Sequence, residues 1–201
     1  MIRAAILVVS SKIADGREED KGKAALVQLV ESIPASLASY DAVPDERQAI
    51  RDRLVSLCEG GTADVVLTVG GTGVRPTDVV PEVTREVAEK EIPGIGEAMR
   101  LESLKKVQTA MLSRGTAGVR GRTLIVNTPG SPSGAAESLE AIVPVLDHAL
   151  ETLAGPHDHA GRAGSAHGDA PGDSTEDQHA FGRPEAASAE VEAEDEAEDG
   201  D

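Results

Sequence analysis

Val65-Val66-Leu67-Thr68-Val69-Gly70-Gly71-Thr72-Gly73-Val74-Arg75-Pro76-Thr77-Asp78 is the stretch that decides how this chain folds. Its first five residues are β-branched or apolar and run straight into Gly-Gly-Thr-Gly. That is the pattern of a fully buried parallel strand ending in a tight backbone loop. Glycines allow positive φ and close approach to a ligand, and successive N–H groups form a nest for anions. Thr72 and Thr77 add hydroxyls, Arg75 a planar cation and Asp78 a carboxylate. Anion donors beside a carboxylate point to a phosphorylated ligand accompanied by a metal ion. Two familiar phosphate loops are excluded by spacing. No Gly-Lys-Ser/Thr follows, and Pro76 stands where a dinucleotide fingerprint requires its third glycine.

Working outward, residues 2–10 form a second apolar, β-branched run, 37–43 a shorter one closed by Pro44-Asp45, and 124–126 the last clear core strand. Helical periodicity lies between them. Leu26, Leu29, Val30 and Ile33 share one face, and Ile50, Leu54, Leu57 and Cys58 another, stopped by Gly60-Gly61. Pro81 suits the first turn of a helix reaching about Ala88. Residues 92–96 read as a break, and 97–107 as a helix anchored by Met99, Leu104 and Val107. The last helix is expected to start near Ser133, a candidate cap, and to be split by Pro144 before Gly155. Strands alternating with helices imply a three-layer α/β/α fold around a mostly parallel central sheet.

The chain has 201 residues and a formal charge of −17. Residues 156–201 hold 14 acidic and 2 basic side chains, leaving 22 acidic and 17 basic, a net of −5, in 1–155. The chain therefore divides into a domain at 1–155 and an acidic tail at 156–201, whose composition cannot offset its ordering entropy. The tail's histidines 157, 159, 167 and 179 have no fixed scaffold for a metal. Nucleic-acid binding is excluded on charge, since phosphate neutralisation needs a basic face. Tyr40 is the sole aromatic before the tail, which holds Phe181, so no base-stacking platform exists. A single cysteine, Cys58, fits a reducing compartment, and no apolar run is long enough to span a membrane. With no signal-peptide pattern, a cytoplasmic protein is expected.

In an open α/β sheet the ligand crevice lies beyond the carboxyl ends of the strands. Asp45 and Asp78, distant in sequence, would meet at that edge and could hold Mg²⁺ against phosphate oxygens. Each has a plainer alternative: Asp45 with Gln48 fits a capping box, and Asp78 a cap or turn before Pro81. Gly70, Gly71 and Gly73 exceed what a turn requires. Pro129, Gly130 and Ser131 are a stiff loop or a set of donors facing the same cleft. Ser113 and Arg114 follow a helix and suit a cap or surface pair. Cys58, on an apolar face, suits the core better than nucleophilic chemistry.

These motifs together resemble the MogA/MoaB and gephyrin G-domain family of molybdenum cofactor biosynthesis. The resemblance rests on Val9-Ser10-Ser11, Glu19-Asp20-Lys21-Gly22, Val43-Pro44-Asp45-Glu46, and Gly70-Gly71-Thr72-Gly73 with Arg75-Pro76-Thr77-Asp78. It continues through Pro93-Gly94-Ile95-Gly96-Glu97, Met111-Leu112-Ser113-Arg114 and Asn127-Thr128-Pro129-Gly130-Ser131-Pro132. It implies the adenylyltransferase branch, in which molybdopterin and Mg-ATP give adenylylated molybdopterin and pyrophosphate. By matching motif, Asp45 and Asp78 would be the catalytic and metal-handling acids. Gly70, Gly71, Thr72 and Gly73 would contact nucleotide; Ser113, Arg114, Pro129, Gly130 and Ser131 would contact the pterin or its phosphate. A homotrimer, or a hexamer, and hand-over to a molybdenum insertase are also implied. The alternative is a MoaB-like protein that binds molybdopterin without transfer; nucleotide hydrolysis of the CinA kind ranks last. Ser11 departs from the family pattern, which carries an acid there.

Overall fold

The computed structural model describes residues 1–155, so the acidic tail expected at 156–201, histidines included, lies outside the described residues. Six strands form one sheet in the order β2-β1-β3-β6-β5-β4. The strands are β1 Ile2–Val9, β2 Ala35–Val43, β3 Val65–Val69, β4 Lys90–Glu91, β5 Ala117–Arg120 and β6 Thr123–Thr128. β2, β1, β3 and β6 run parallel, with Ala4 opposite Val65 and Val65 opposite Leu124. β5 is antiparallel to β6, and β4 to β5.

Alternation along the strands builds two apolar layers, as a pleated sheet covered on both sides demands. Ile6, Val8, Leu67 and Val126 face one layer with Leu26 and Val30 of α2 (Lys23–Glu31), Met99 of α5 (Pro93–Leu104) and Leu139, Ile142 and Leu146 of α6 (Pro132–Ala154). Leu7, Val9, Val66 and Ile125 face the other with Ile50, Leu54 and Leu57 of α3 (Arg47–Glu59) and Val80 and Val83 of α4 (Val80–Val87). Each such side chain, fully buried, contributes about 1.5–3 kcal/mol. All five residues of β3 are buried, which is why that run reads as continuous rather than alternating. The fold is the expected three-layer α/β/α.

Several boundaries differ from expectation, each for a local reason. Residues 11–14, directly after the apolar run of β1, form a short helix, α1 (Ser11–Ala14), that the hydrophobic pattern does not announce. α5 begins at Pro93, so 92–96 is a helix start rather than a break; proline fits the first turn, where its missing N–H is not needed. Ser131, not Ser133, caps α6, its Oγ accepting from Gly134 N at 3.2 Å. Pro144 does not split α6: Pro144 and Glu140, whose carbonyl loses its partner, are both exposed, so water can serve that carbonyl. Asn127 and Thr128 end β6 instead of opening the loop.

Cys58 is half-buried against the second layer, and burial pushes its thiol up to about 11, opposed by the nearby Arg120 charge. It is a packing residue. Tyr40, on β2, donates its phenol to Asp20, and Lys23 lies 5.0 Å from its ring centroid. Burial first, and the Asp20 acceptor second, raise that phenol's pKa.

Candidate functional site

A cleft of about 700 Å³ opens beyond the carboxyl ends of β1, β3 and β6. One wall is the glycine loop with Val9 and Ser10; the other is α5, the 3₁₀ turn Gln108–Leu112 and the start of α6.

The glycine loop is shaped by contacts no side chain would permit. Gly70 and Gly71 adopt φ of +102° and +65°. A Cβ on Gly70 would lie 2.8 Å from Val9 O, and one on Gly71 2.5 Å from Val80 Cγ2. The loop is sewn to its neighbours by backbone bonds: Gly70 N donates to Thr128 O at 3.2 Å, Val80 N to Gly71 O at 3.2 Å, and Arg114 N to Thr72 O at 2.9 Å. By contrast, the N–H groups of Gly71, Thr72, Gly73 and Val74 find no acceptor among the described residues. Four consecutive unpaired donors on a cleft-lining loop are available to an anion as a nest.

Asp78 closes this loop. It is only 4% exposed, yet both its oxygens accept from Arg75: Oδ2 from the backbone N at 2.8 Å, Oδ1 from Nη2 at 3.0 Å. Burial works to raise its pKa, but the hydrogen bonds and charge of Arg75 win, and the carboxyl titrates below its ordinary range. Asp78 therefore fills the turn role and lines the cleft at once; Val79, not Asp78, is the residue that precedes α4 as its cap.

Asp45 is not a helix cap. Glu46 occupies that position, and no side chain caps α3. Asp45 instead forms a reciprocal pair with Ser11: Ser11 N donates to Asp45 Oδ2 at 2.7 Å, and Asp45 N donates to Ser11 Oγ at 2.9 Å. Ser11, the departure noted in the sequence, thus holds Asp45 by both ends. Asp45 is not among the cleft-lining residues. Its charge nevertheless reaches Arg75, whose guanidinium pKa is raised first by the Asp78 hydrogen bond, then by the Asp78 charge, with a smaller part from Asp45. Arg75 touches Asp78 directly and feels Asp45 only through its charge. Among the described residues no group of three or more His, Cys, Asp or Glu side chains is placed to hold a metal by itself.

Ser113, Pro129, Gly130 and Ser131 line the cleft, as do Gly70, Gly71, Thr72 and Gly73. Arg114, expected at the pterin or its phosphate, is not in the lining. Its guanidinium lies beneath the loop, donating to Gly73 O at 2.7 Å and to Asp78 O, and pairing with Glu82. It is a clamp on the loop. Arg100 and Glu137 line the cleft but were not singled out from sequence. Arg100 Nη1 donates to Gly115 O at 2.8 Å. Reading 93–104 as one helix would have set Arg100 one turn after Gly96 on the face that carries Met99 to the core.

A doubly wound sheet with a cleft at its strand ends, where the glycine loop and the Asp78 carboxylate meet, defines an α/β protein with its ligand site beyond the strand ends. Residues 5–148 match the family model described as a probable molybdopterin binding domain, and the chain belongs to that family. It is 40% identical over 156 residues to a molybdopterin adenylyltransferase of Helicobacter pylori (strain J99), covering 77% of this chain and 89% of that protein. It is 37% identical over 143 residues to the molybdopterin adenylyltransferase of Escherichia coli (strain K12), covering 70% and 73%. Among solved structures, the molybdopterin biosynthesis enzyme MoaB of Thermus thermophilus superposes with a TM-score of 0.72 at 48% identity, covering 78% of this chain and 98% of that one.

Proposed function

We propose that this chain is a molybdopterin adenylyltransferase acting in molybdenum cofactor biosynthesis, with ATP and molybdopterin as substrates. The observation that carries the reading is the run of unpaired N–H groups from Gly71 to Val74, beside the cleft-lining Asp78 in a domain of this family. Nucleotidyl transfer asks for positioning and charge neutralisation more than for a covalent nucleophile. The terminal phosphate oxygen of molybdopterin attacks the α-phosphorus of ATP; the bond to pyrophosphate breaks as the new P–O bond forms. The nest holds phosphate oxygens by backbone donors that cost no reorganisation, since Gly70 and Gly71 fix their directions. Ser113 and Ser131 offer hydroxyls from the opposite wall.

A triphosphate brings negative charge that a divalent cation neutralises. Mg²⁺ is usually held by one or two carboxylates plus substrate phosphates. The residues present fit a cation that arrives with the nucleotide: Asp45 Oδ1 accepts no hydrogen bond among the described residues, and the Arg75 side chain covering Asp78 is 74% exposed. Asp45 and Asp78 would hold it, and it would neutralise charge on the triphosphate. Homotrimeric assembly, a cytoplasmic location and hand-over of product to a molybdenum insertase belong to the same proposal; no helix among the described residues is long and apolar enough to cross a membrane.

The test is to incubate the protein with molybdopterin and Mg-ATP and to assay AMP-linked pterin by mass. Product is expected from the wild type, with turnover reduced on the order of a hundredfold or more in Asp78→Asn while pterin binding persists. Pterin binding without product in the wild type would leave the MoaB-like binding protein as the reading.

A further inference from the structure

Resting on that reading, we infer that Glu137 is the specificity-determining residue for the pterin ring, and that the α5–α6 wall is the ring's slot. Apart from Asp78, Glu137 is the only carboxylate among the described residues that lines the cleft. It lies on α6 beyond the Ser131 cap, and its side chain is 21% exposed. Oε1 pairs with Lys106 Nζ at 3.3 Å, and Lys106 is not in the lining. The wall that carries it sets the apolar Met99, Val107, Ala110 and Leu112, which can cover a flat heterocycle's faces, beside the polar Arg100, Ser103 and Thr109.

The chemistry discriminates between the two rings the enzyme must seat. An ionised carboxylate presents acceptors only. A pterin offers two adjacent, parallel donors, N3–H and the 2-amino group, which a carboxylate matches as a two-pronged fork. Adenine offers a donor at its 6-amino group beside an acceptor at N1, so one prong of the fork would meet a lone pair. Glu137 therefore selects pterin for this half of the cleft and leaves the nucleotide to the glycine-loop half. The simpler role, a helix-surface ion pair with Lys106, predicts that removing either partner has the same effect.

The experiment uses the full chain and two fluorescent probes, 6-hydroxymethylpterin and 6-hydroxymethyllumazine, which differ in carrying an amino group or an oxygen at position 2. The wild type is expected to prefer the pterin by about 10- to 100-fold. Glu137→Gln should abolish that preference, raise the KM for molybdopterin and leave AMP affinity unchanged. Lys106→Met, which keeps the carboxylate and removes its ion pair, should retain the preference. Both variants should melt as the wild type does, which separates a lost preference from a lost fold. Equal affinity of the wild type for the two probes, a preference that survives in Glu137→Gln, or its loss in Lys106→Met overturns the assignment. Failure to form AMP-linked pterin, with the probe preference intact and dependent on Glu137, would instead overturn the adenylyltransferase reading and leave Glu137 as the ring's reader.

Discussion

The two walls of the cleft are built on opposite principles. The glycine-loop wall is fixed from every side: Arg114 grips it from below, Asp78 folds back on Arg75, Thr128 at the end of β6 holds Gly70 N, and the β1 backbone passes too close to Gly70 for any side chain. The α5–3₁₀–α6 wall is tied by fewer bonds, chiefly Arg100 to Gly115 O and Lys106 to Glu137, and it leaves Leu101, Met111 and Leu112 exposed. Where charge must be met at a set point, donors are locked in advance. Where a ring must be enclosed, apolar side chains that can adjust are enough.

That contrast can be broken most directly at Gly71. Gly71→Ala places a Cβ against Val80 at a positive φ, and a cost of about 2–4 kcal/mol is expected, with nucleotide binding lost. Thermal melting and AMP titration check it; a variant that melts and binds normally would mean the loop is as adaptable as the opposite wall. Arg114→Ala comes next. It removes two carbonyl contacts and the partner of Glu82, whose Oε2 is already buried without a hydrogen bond. A loss of about 1–3 kcal/mol is expected, with the KM for ATP raised and pterin-probe binding unchanged. The smallest effect is a pH dependence. Because Arg75 depresses the Asp78 carboxyl, its stabilisation is complete above the unfolded value of about 4 and is lost as pH falls through the lower folded value. The melting-temperature gap between wild type and Asp78→Asn should therefore be constant from about pH 8 to 5 and narrow below about pH 4.

The same contrast governs what the sequence disclosed. β1, β3 and β6 are buried on both faces, so their apolar runs are unambiguous, and the loops leaving them carry the residues that line the cleft. β4 and β5 carry no such signal: Lys90–Glu91 is exposed on both residues, and Ala-Gly-Val-Arg is too short and too small to show a period. They exist because β6 offers them an edge, which is a tertiary fact. Asp45 fits a capping box on paper, yet Ser11 competes for both its backbone N–H and its carboxylate and wins. Arg114 stands beside the cleft-lining Ser113, and nothing in the local order of residues says that its side chain turns under the loop. Pro144 reads as a break because its cost is local, whereas Leu139, Ile142 and Leu146, buried along the same helix, pull the other way.

Tyr40 carries one last implication. It is the only tyrosine, there is no tryptophan, and its ring is bound to Asp20 outside the cleft lining. The protein is thus nearly transparent in the near ultraviolet. At wavelengths longer than the adenine band, a pterin seated as inferred would supply almost all of the absorbance and emission of the complex, and its spectrum could be followed through a catalytic cycle without a label.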